Sequence, residues 1–392
     1  MSKLSDTTKS FRKYVIGFLV FAIIVILIQN IYHYAQNGDF FGDQDPEGYA
    51  FVTEGFGPIT YPEISSLSIQ EGSKPSFSIS GQFSKSPTSV NVYKVNKPRE
   101  SLGNSKRAQE VAGRLYFTSS NYELEDNVLT WRSNNKQILQ YNKLTNNMTY
   151  SNEGINIAEL RSEKPEFVDS EAIDKIINEY MTVFNSSTAQ FSEEEITNYL
   201  LSDGNKYKTT TIAENADFIR TDFALQKEVV SLRASELEEN TTGAEAVQGN
   251  IYLDNPKQGS LHIIVANSSS TQIQVDSNDK SNSKIREYGY INIDISEEKS
   301  VYSLRTYEEA WQDVQEGRGY LKYLIKQGTD PLADYTPLNV KRFIVDPDKS
   351  RLGLYAPGSW TGYLYPIYVF EGIAELSDGS TADFVFYARA IN

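Results

Sequence analysis

Residues 364–370 read Leu-Tyr-Pro-Ile-Tyr-Val-Phe, and this run of aromatic and β-branched side chains is typical of a buried strand. Two similar runs lie on either side of it in the chain, at 339–345 (Asn-Val-Lys-Arg-Phe-Ile-Val) and 383–387 (Asp-Phe-Val-Phe-Tyr). Because proline cannot donate a hydrogen bond to a strand ladder, Pro366 is expected at the start or edge of its strand. The C-terminal part of the chain is therefore predicted to form an antiparallel meander.

A helix is predicted just before this meander. Thr306 and Glu309 have the spacing of a capping box, and Gly317 stands where a helix C-terminus often places a glycine. Apolar side chains recur between them at the spacing i, i+3, i+4 and i+7: Tyr307, Ala310, Trp311 and Val314. Such a stripe needs a partner surface, so we predict that Trp311 packs on the strand at 364–370.

The same order of elements appears earlier in the chain. Val90, Val92 and Val95 predict a strand, and a helix follows it. The apolar residues of this helix share the helical spacing: Ala108, Val111, Ala112 and Leu115. Three more strands are predicted at 128–131, 137–141 and 148–150, and the polar residues 142–147 have the composition of a hairpin turn.

The middle of the chain mixes helix and strand patterns. A helix is predicted over 169–180, and another is predicted to begin at Ser192, which precedes three glutamates as in a capping box. Apolar runs at 261–265 and 272–275 enclose a polar turn and predict a hairpin. Isoleucines alternate with polar residues at 291–295 and predict a further strand.

The N-terminal segment predicts a membrane anchor. Residues 14–28 carry no charge, and a helix over 14–34 is long enough to cross a hydrocarbon core of ~30 Å. Basic residues precede this helix and acidic residues follow it: Lys3, Lys9, Arg12, Lys13, Asp39, Asp43, Asp45 and Glu47. The positive-inside rule then predicts a single-pass protein of the plasma membrane with a cytoplasmic N-terminus and an extracytoplasmic C-terminal domain. A cleaved signal peptide is the alternative.

These patterns predict an α+β fold, in which an N-terminal transmembrane helix is followed by helix-plus-antiparallel-meander modules. The predicted segments are a cytoplasmic tail (1–13), the transmembrane helix (14–34), an extracytoplasmic Gly/Pro-rich stalk (35–88), a first α+β module (89–155), helices with a strand-rich region (165–300) and a C-terminal α+β module (301–392). Within the stalk, residues 56–62 are apolar enough to dock on a neighbouring surface.

Composition narrows the classes of function. The chain of 392 residues has 37 basic and 52 acidic residues and a net charge of -15, which argues against nucleic acid as a partner because phosphate binding needs clustered Lys and Arg. The sequence contains no cysteine, which excludes thiol catalysis and disulfides. In an exported domain of this size, that absence favours a bacterial cell envelope. No glycine-rich or Walker pattern supports nucleotide binding.

The sequence offers three weak candidates for chemistry. Acidic residues within 43–54 match positions of a calcium loop, but Pro46 interrupts them and a solvated acidic segment explains them. The only two histidines, His33 and His262, are interpreted as a membrane-edge residue and a strand residue. No G-x-S-x-G elbow accompanies His262, which argues against a serine hydrolase.

Paired carboxylates leave a glycosidase open. The acidic residues at 193–195 are explained by helix capping, and the Asp-Pro-Asp sequence at 346–348 is explained by a turn. We therefore assign no catalytic, cofactor-binding or metal-binding residue and expect no cofactor.

A cluster of aromatic residues in the C-terminal part has two interpretations. Its members are Tyr355, Trp360, Tyr363, Tyr365, Tyr368 and Phe370. They could line a ligand groove, but the burial tendencies of aromatic residues favour positions in a sheet and core.

Two parts of the chain resemble known modules. The Ala-rich helix, strands and turn at 104–150 resemble PepSY-type modules. The later unit, with Tyr-Glu-Glu-Ala-Trp at 307–311, Gly317 and the strand at 365–372, is similar to the modules of YycH/YycI-type proteins. The resemblance implies a membrane-anchored extracytoplasmic regulator of a sensor histidine kinase. It implies no catalytic residue, because these families have no catalytic signature.

Three hypotheses for the function follow. The leading one is a non-enzymatic, membrane-anchored binding or regulatory protein of the cell envelope, with another envelope protein as its partner. The second is a carboxylate-based enzyme that acts on glycan or peptide, and it requires two carboxylates facing one cleft. The third is a structural surface component, which exposed edge strands would support.

Overall fold

The fold is built mainly from strands. The computed structural model describes residues 52–134, 136–162, 165, 178, 181–184, 191–192, 196–203, 206–230, 247–268, 284–331 and 333–392. Of these residues, 44% lie in strands and 13% in helices. The chain from Ala50 to Asn392 forms one compact unit.

The strands and helices with described bounds follow the chain in this order: β1 (Ser76–Ile79), β2 (Ser89–Val95), α1 (Leu102–Arg114), β3 (Glu123–Glu125), β4 (Val128–Arg132), β5 (Gln137–Asn142), β6 (Met148–Asn152), α2 (Ile157–Leu160), β7 (Ile196–Asp203), β8 (Lys206–Thr210), β9 (Phe218–Phe223), β10 (Gln226–Val230), β11 (Val247–Tyr252), β12 (Leu261–Ala266), β13 (Ile285–Tyr290), β14 (Ile295–Ser303), α3 (Tyr307–Gln315), β15 (Tyr320–Lys326), β16 (Val340–Val345), β17 (Arg351–Tyr355), β18 (Tyr365–Leu376) and β19 (Thr381–Arg389). Short 3-10 turns lie at Ala213–Asn215 and Pro347–Lys349.

The described strands form three sheets. An eight-stranded sheet has the order β1-β16-β18-β17-β11-β10, and β19 joins β18 to β15. A nine-stranded sheet has the order β3-β4-β5-β6-β13-β12-β9-β7-β8, and β2 pairs with β14 in a small third sheet. Pairing is mostly antiparallel, but β1 runs parallel to β16 and β11 runs parallel to β17.

Strand β18 is the centre of the eight-stranded sheet. It has 12 residues and pairs with three strands. On one side its first half pairs with β17 and its second half pairs with β16, and on the other side it pairs with β19. Pro366 is the second residue of β18, as predicted for a residue that cannot donate to the ladder. The strands predicted at 339–345 and 383–387 are confirmed as β16 and β19.

Helix α3 packs on this sheet as predicted. Both hydrogen bonds of the capping box between Thr306 and Glu309 are present, and Gly317 has a φ of 80° just after the helix. Trp311 is 2% exposed, and its ring centroid lies 5.2 Å from that of Phe370 in β18. The ring of Phe77 from β1 lies 5.9 Å from Trp311 on the same sheet. Aromatic packing therefore fixes the helix on the C-terminal meander.

The earlier unit also has its predicted elements. Helix α1 buries Ala108, Val111 and Ala112, and strands β4, β5 and β6 form an antiparallel meander. Asn142 opens the turn between β5 and β6 by accepting hydrogen bonds from the backbone of Leu144 and Thr145. The sequence predicts this helix and this meander because each signal lies within one short stretch of the chain.

The predicted α+β fold class is wrong, because strand pairing dominates the architecture. The helix predicted to begin at Ser192 does not continue, since Ile196–Asp203 forms β7 and pairs with β8 and β9. The strand predicted at 291–295 is wrong as well: residues 291–294 form a loop between β13 and β14. The helix predicted over 169–180 and the strand at 272–275 lie largely or wholly outside the described residues.

The prediction of a membrane-spanning protein is also corrected. Among the described residues, no helix is long and apolar enough to cross a membrane. Helix α1 has 13 residues, whereas a crossing needs ~20. The segment at 14–34 lies outside the described residues. The structure therefore does not support the transmembrane helix, the single-pass topology, or the plasma-membrane location with an extracytoplasmic C-terminal domain.

The predicted segments share their sheets. Strand β1 comes from the predicted stalk and pairs with β16 of the C-terminal segment, while β6 pairs with β13 of the strand-rich region. Residues 56–62 dock as expected: Ile59 and Tyr61 are buried, and the Tyr61 hydroxyl donates to the carbonyl oxygen of Pro366. Long-range strand pairing thus connects stretches that the sequence presents as successive modules.

Candidate functional site

A cavity of about 320 Å³ lies where loops from all three sheets converge, and we call it the Trp360 cavity. Five chain stretches contribute lining residues: 95–99 after β2, 144–147 between β5 and β6, 253–258 between β11 and β12, 291–294 between β13 and β14, and 356–364 between β17 and β18. Three of these loops carry the chain from one sheet to another, so the cavity exists only when the sheets are assembled.

Trp360 lies in the loop between β17 and β18, and the residue is 48% exposed. Its indole N–H donates to the carbonyl oxygen of Val95 over 2.9 Å, which satisfies the single polar group of the ring. The Lys97 ammonium lies 5.8 Å from the ring centroid. The hydrogen bond from its N–H therefore holds the indole in place, while much of its apolar surface remains exposed.

Backbone pairing positions this loop against the end of β2. Gly362 has a φ of 88°, a left-handed conformation that favours glycine, and its carbonyl oxygen accepts from the Val95 N–H over 2.8 Å. Lys94 and Tyr363 form an isolated antiparallel bridge next to that bond. The Tyr363 ring packs on Phe56, with 5.6 Å between centroids. The turn at Gly362 thus brings Trp360 back over the strand end.

Six of the cavity-lining residues have amide side chains, and hydrogen bonds within the protein hold several of these side chains in place. Asn146 accepts from the Tyr141 hydroxyl over 2.9 Å, and Asn147 accepts from the backbone N–H of Asn292 over 3.0 Å. Asn255 accepts from the backbone N–H of Lys257 over 3.0 Å. In each case the carbonyl oxygen of the amide is used.

The nitrogen ends of these amides remain available. Within the described residues, no group accepts a hydrogen bond from the side-chain nitrogens of Asn146, Asn147 or Asn255. The side chain of Gln258 also has no hydrogen-bond partner in this part of the chain. Since all four residues line the cavity, it contains donors that can serve a ligand.

Asp254 is a cavity-lining carboxylate that two side-chain donors hold in place. One of its oxygens accepts from the Lys322 ammonium and from the Tyr355 hydroxyl, each over 2.8 Å. Lys322 is 7% exposed and also donates to the carbonyl oxygen and hydroxyl of Ser65. Partial burial raises the pKa of Asp254, but the hydrogen bonds from Lys322 and Tyr355 and a backbone bond from Gly358 outweigh it and lower this pKa overall.

A second carboxylate, Asp294, occupies another wall. Its oxygen accepts from the side-chain nitrogen of Asn96 over 3.1 Å, and its backbone carbonyl accepts from the Asn96 N–H over 2.8 Å. Arg99 lines the same cavity and is exposed. The charged groups of the lining therefore include both signs.

The structure divides the predicted aromatic cluster. Tyr355, Tyr365, Tyr368 and Phe370 are buried in the eight-stranded sheet, as the core interpretation predicted. Trp360 and Tyr363 instead line the Trp360 cavity. The lining amides were missed, because the sequence signal at 142–147 indicated only a hairpin turn.

The other sequence candidates do not meet at this cavity. His262 lies in β12, as predicted, and its Nε2 is 3.0 Å from a carboxylate oxygen of Glu287. Asp346 caps the 3-10 turn at Pro347–Lys349, which confirms the turn interpretation of the Asp-Pro-Asp sequence. His33, the acidic triplet at 193–195 and the calcium-like loop up to residue 51 lie outside the described residues.

Comparisons with known proteins give no function. No family model matches the chain, and no curated protein matches it. The chain is similar to the crystal structure of an uncharacterized protein from Eubacterium rectale, at 9% identity and a TM-score of 0.37, over 80% of this chain and 86% of that one. A structural similarity at this level does not indicate a function. The resemblance to PepSY-type and YycH/YycI-type modules stays a prediction.

Proposed function

We propose that this protein is a non-enzymatic binding protein and that the Trp360 cavity is its ligand site. The observation that carries the proposal is a half-exposed indole, fixed by its N–H to Val95, beside amide nitrogens that have no acceptor among the described residues. Small-ligand sites typically combine apolar walls with a few placed polar groups in a cavity of ~300–1,000 Å³. The volume of about 320 Å³ falls at the lower end of that range.

The chemistry of Asp254 favours binding over catalysis. A carboxylate-based glycosidase needs a carboxylic acid that stays protonated near neutral pH, which requires a raised pKa. The hydrogen bonds from Lys322 and Tyr355 lower the pKa of Asp254 and keep it ionised. Asp254 therefore holds Lys322 and Tyr355 together instead of serving as a general acid.

Intrinsic fluorescence offers a direct test, because the three tryptophans differ in exposure. Trp131 and Trp311 are 0% and 2% exposed, so acrylamide quenching in the folded protein reports mainly on Trp360. A library of small saccharides, peptides and nucleosides is screened for compounds that protect the fluorescence from acrylamide. We expect saturable protection by at least one class and its loss in Trp360→Phe, whose remaining emission comes from the buried pair.

The control is Ile212→Ala, which changes an exposed apolar side chain outside the cavity lining. This variant should show the same protection as the unmodified protein. If no compound protects Trp360, the cavity is not the ligand site. The same conclusion follows if the double variant Asn255→Ala, Gln258→Ala binds the protecting compound with unchanged affinity.

A further inference from the structure

We infer that the ligand of the Trp360 cavity is an uncharged saccharide, an inference that rests on the proposed binding function. The aromatic wall gives the first reason. A pyranose ring has one face rich in C–H groups, which packs on the electron-rich face of an indole. Trp360 suits this contact because its N–H is already bonded to Val95, so the ring offers apolar surface without an unmet polar group.

The polar lining gives the second reason. Side-chain amides and hydroxyls form much of it: Asn96, Thr145, Asn146, Asn147, Asn255 and Gln258. The hydroxyl groups of a sugar accept hydrogen bonds as well as donate them, so amide N–H groups can bind their oxygens. The carbonyl oxygens of three of these amides are held by the protein, so the N–H groups of these side chains are the donors that remain for a ligand.

The charges of the cavity give the third reason. Asp254 is paired with Lys322, and Asp294 lies in a lining that also contains Arg99. Neither sign dominates, so a phosphate or uronate would meet a carboxylate as well as a cation. An uncharged ligand avoids the cost of bringing a like charge close.

A peptide fits the lining less well. Extended peptides usually bind by adding a strand to an unpaired sheet edge. At this cavity the end of β2 is already occupied, since Val95 donates to Gly362 and Lys94 bridges to Tyr363. The cavity therefore offers side chains from loops and no free strand edge at β2.

The experiment compares defined probes by titration calorimetry of the full chain. The neutral probes are maltose, cellobiose, lactose and N,N′-diacetylchitobiose. The matched charged probe is digalacturonic acid, and the other probes are tetra-alanine and uridine. We expect saturable binding of at least one neutral disaccharide and weaker or no binding of the charged one. Trp360→Ala should weaken that binding about tenfold or more, as for other tryptophan anchors.

Two more variants make the test specific. Gln258→Ala should weaken binding severalfold, since it removes a lining group with no described partner, whereas Ile212→Ala should leave it unchanged. The melting temperature of each variant is measured to show that the fold is intact.

The remaining outcomes separate the two proposals. If only digalacturonic acid, tetra-alanine or uridine binds, and Trp360→Ala abolishes that binding, the saccharide inference is overturned while the ligand site stands. If none of the probes binds, the saccharide inference is overturned, and the acrylamide screen with its wider library decides on the site itself.

Discussion

The three tryptophans show how context sets the role of a single residue type. Trp131 and Trp311 are buried, and Trp311 packs on Phe77 and Phe370, whereas Trp360 is 48% exposed. Burial of a large aromatic ring stabilises the fold, and exposure at a cavity makes a ring available to a ligand. Substitutions of Trp311 and Trp360 should therefore separate the stabilising role of a buried ring from the ligand-binding role of an exposed one.

We predict that Trp311→Ala lowers the free energy of unfolding by ~3–5 kcal/mol, because it leaves a cavity among packed rings. Trp360→Ala should lower it by about 1 kcal/mol or less, because the residue is half exposed and loses one hydrogen bond. Urea denaturation followed by circular dichroism measures both. A large loss of stability in Trp360→Ala would mean that its ring is structural.

Asp254 gives a pH-dependent prediction. Its pKa is lowered in the folded state, so its contribution to stability is present above its ordinary pKa and is lost as the pH falls through the folded value. Replacement by Asn should therefore cost stability near neutral pH and progressively less as the pH falls through the folded pKa of Asp254. Because the side chain is 54% exposed, the cost should be about 1 kcal/mol or less.

Urea denaturation at several pH values tests this prediction. Tyr355→Phe removes one of the two side-chain donors to Asp254 and should reduce the pH-dependent difference between the unmodified protein and Asp254→Asn. A difference that stays constant from neutral to acidic pH would show that the carboxylate is not braced as described.

At the residue scale, the sequence predicted the core aromatics well and the cavity poorly. Tyr365, Tyr368 and Phe370 sit in a strand pattern that is visible locally. The placement of Trp360 depends on Val95, which is 265 positions away in the chain. No local pattern reveals such a contact, so the ligand-groove and core interpretations could not be separated.

At the scale of elements, local signals decided which predictions were right. Helix α3 was predictable because its cap, apolar stripe and terminal glycine all lie within 306–317. The acidic residues before β7 match a capping box equally well, yet tertiary pairing with β8 and β9 makes Ile196–Asp203 a strand. Strand formation here depends on partners that the local sequence does not contain.

Two glycine substitutions test the packing of elements. A Cβ at Gly372 would collide with the carbonyl oxygen of Ile344 and lie 2.9 Å from the Phe384 ring, whereas a Cβ at Gly113 in α1 meets nothing. Gly372→Ala should lower the free energy of unfolding by ~3 kcal/mol or more. Gly113→Ala should raise it by ~0.5–1 kcal/mol, because alanine favours a helix over glycine.

Thermal and urea melts of both variants measure these effects. If Gly372→Ala were neutral, β16 and β18 would not approach each other as closely as their register indicates.

At the scale of the whole molecule, strands that lie far apart in the chain pair with one another. Strand β1 pairs with β16, and β2 pairs with β14. The sequence shows each strand but not its partner, because many strands have similar apolar patterns and pairing is set by the assembled sheets. The mainly β architecture was therefore underestimated even where individual strands were located correctly.

A fragment of residues 89–392 tests this integration. It lacks β1 and with it Phe77, whose ring stacks on Phe343 at 5.5 Å, and it lacks the buried Tyr61. We expect a melting temperature well below that of a fragment of residues 50–392, and binding of a fluorescent dye specific for exposed apolar surface. Equal melting temperatures would show that the segment before residue 89 contributes nothing to the core.

The most direct test of the central claim uses fluorine NMR of protein labelled with 5-fluorotryptophan. The chain has three tryptophans, so the spectrum should contain three resonances, and Trp360→Phe identifies one of them. During titration with the neutral disaccharides, we predict that the Trp360 resonance shifts in a saturable way while those of Trp131 and Trp311 stay in place. A spectrum in which the Trp360 resonance does not respond to any neutral saccharide would contradict the claim that the Trp360 cavity binds one.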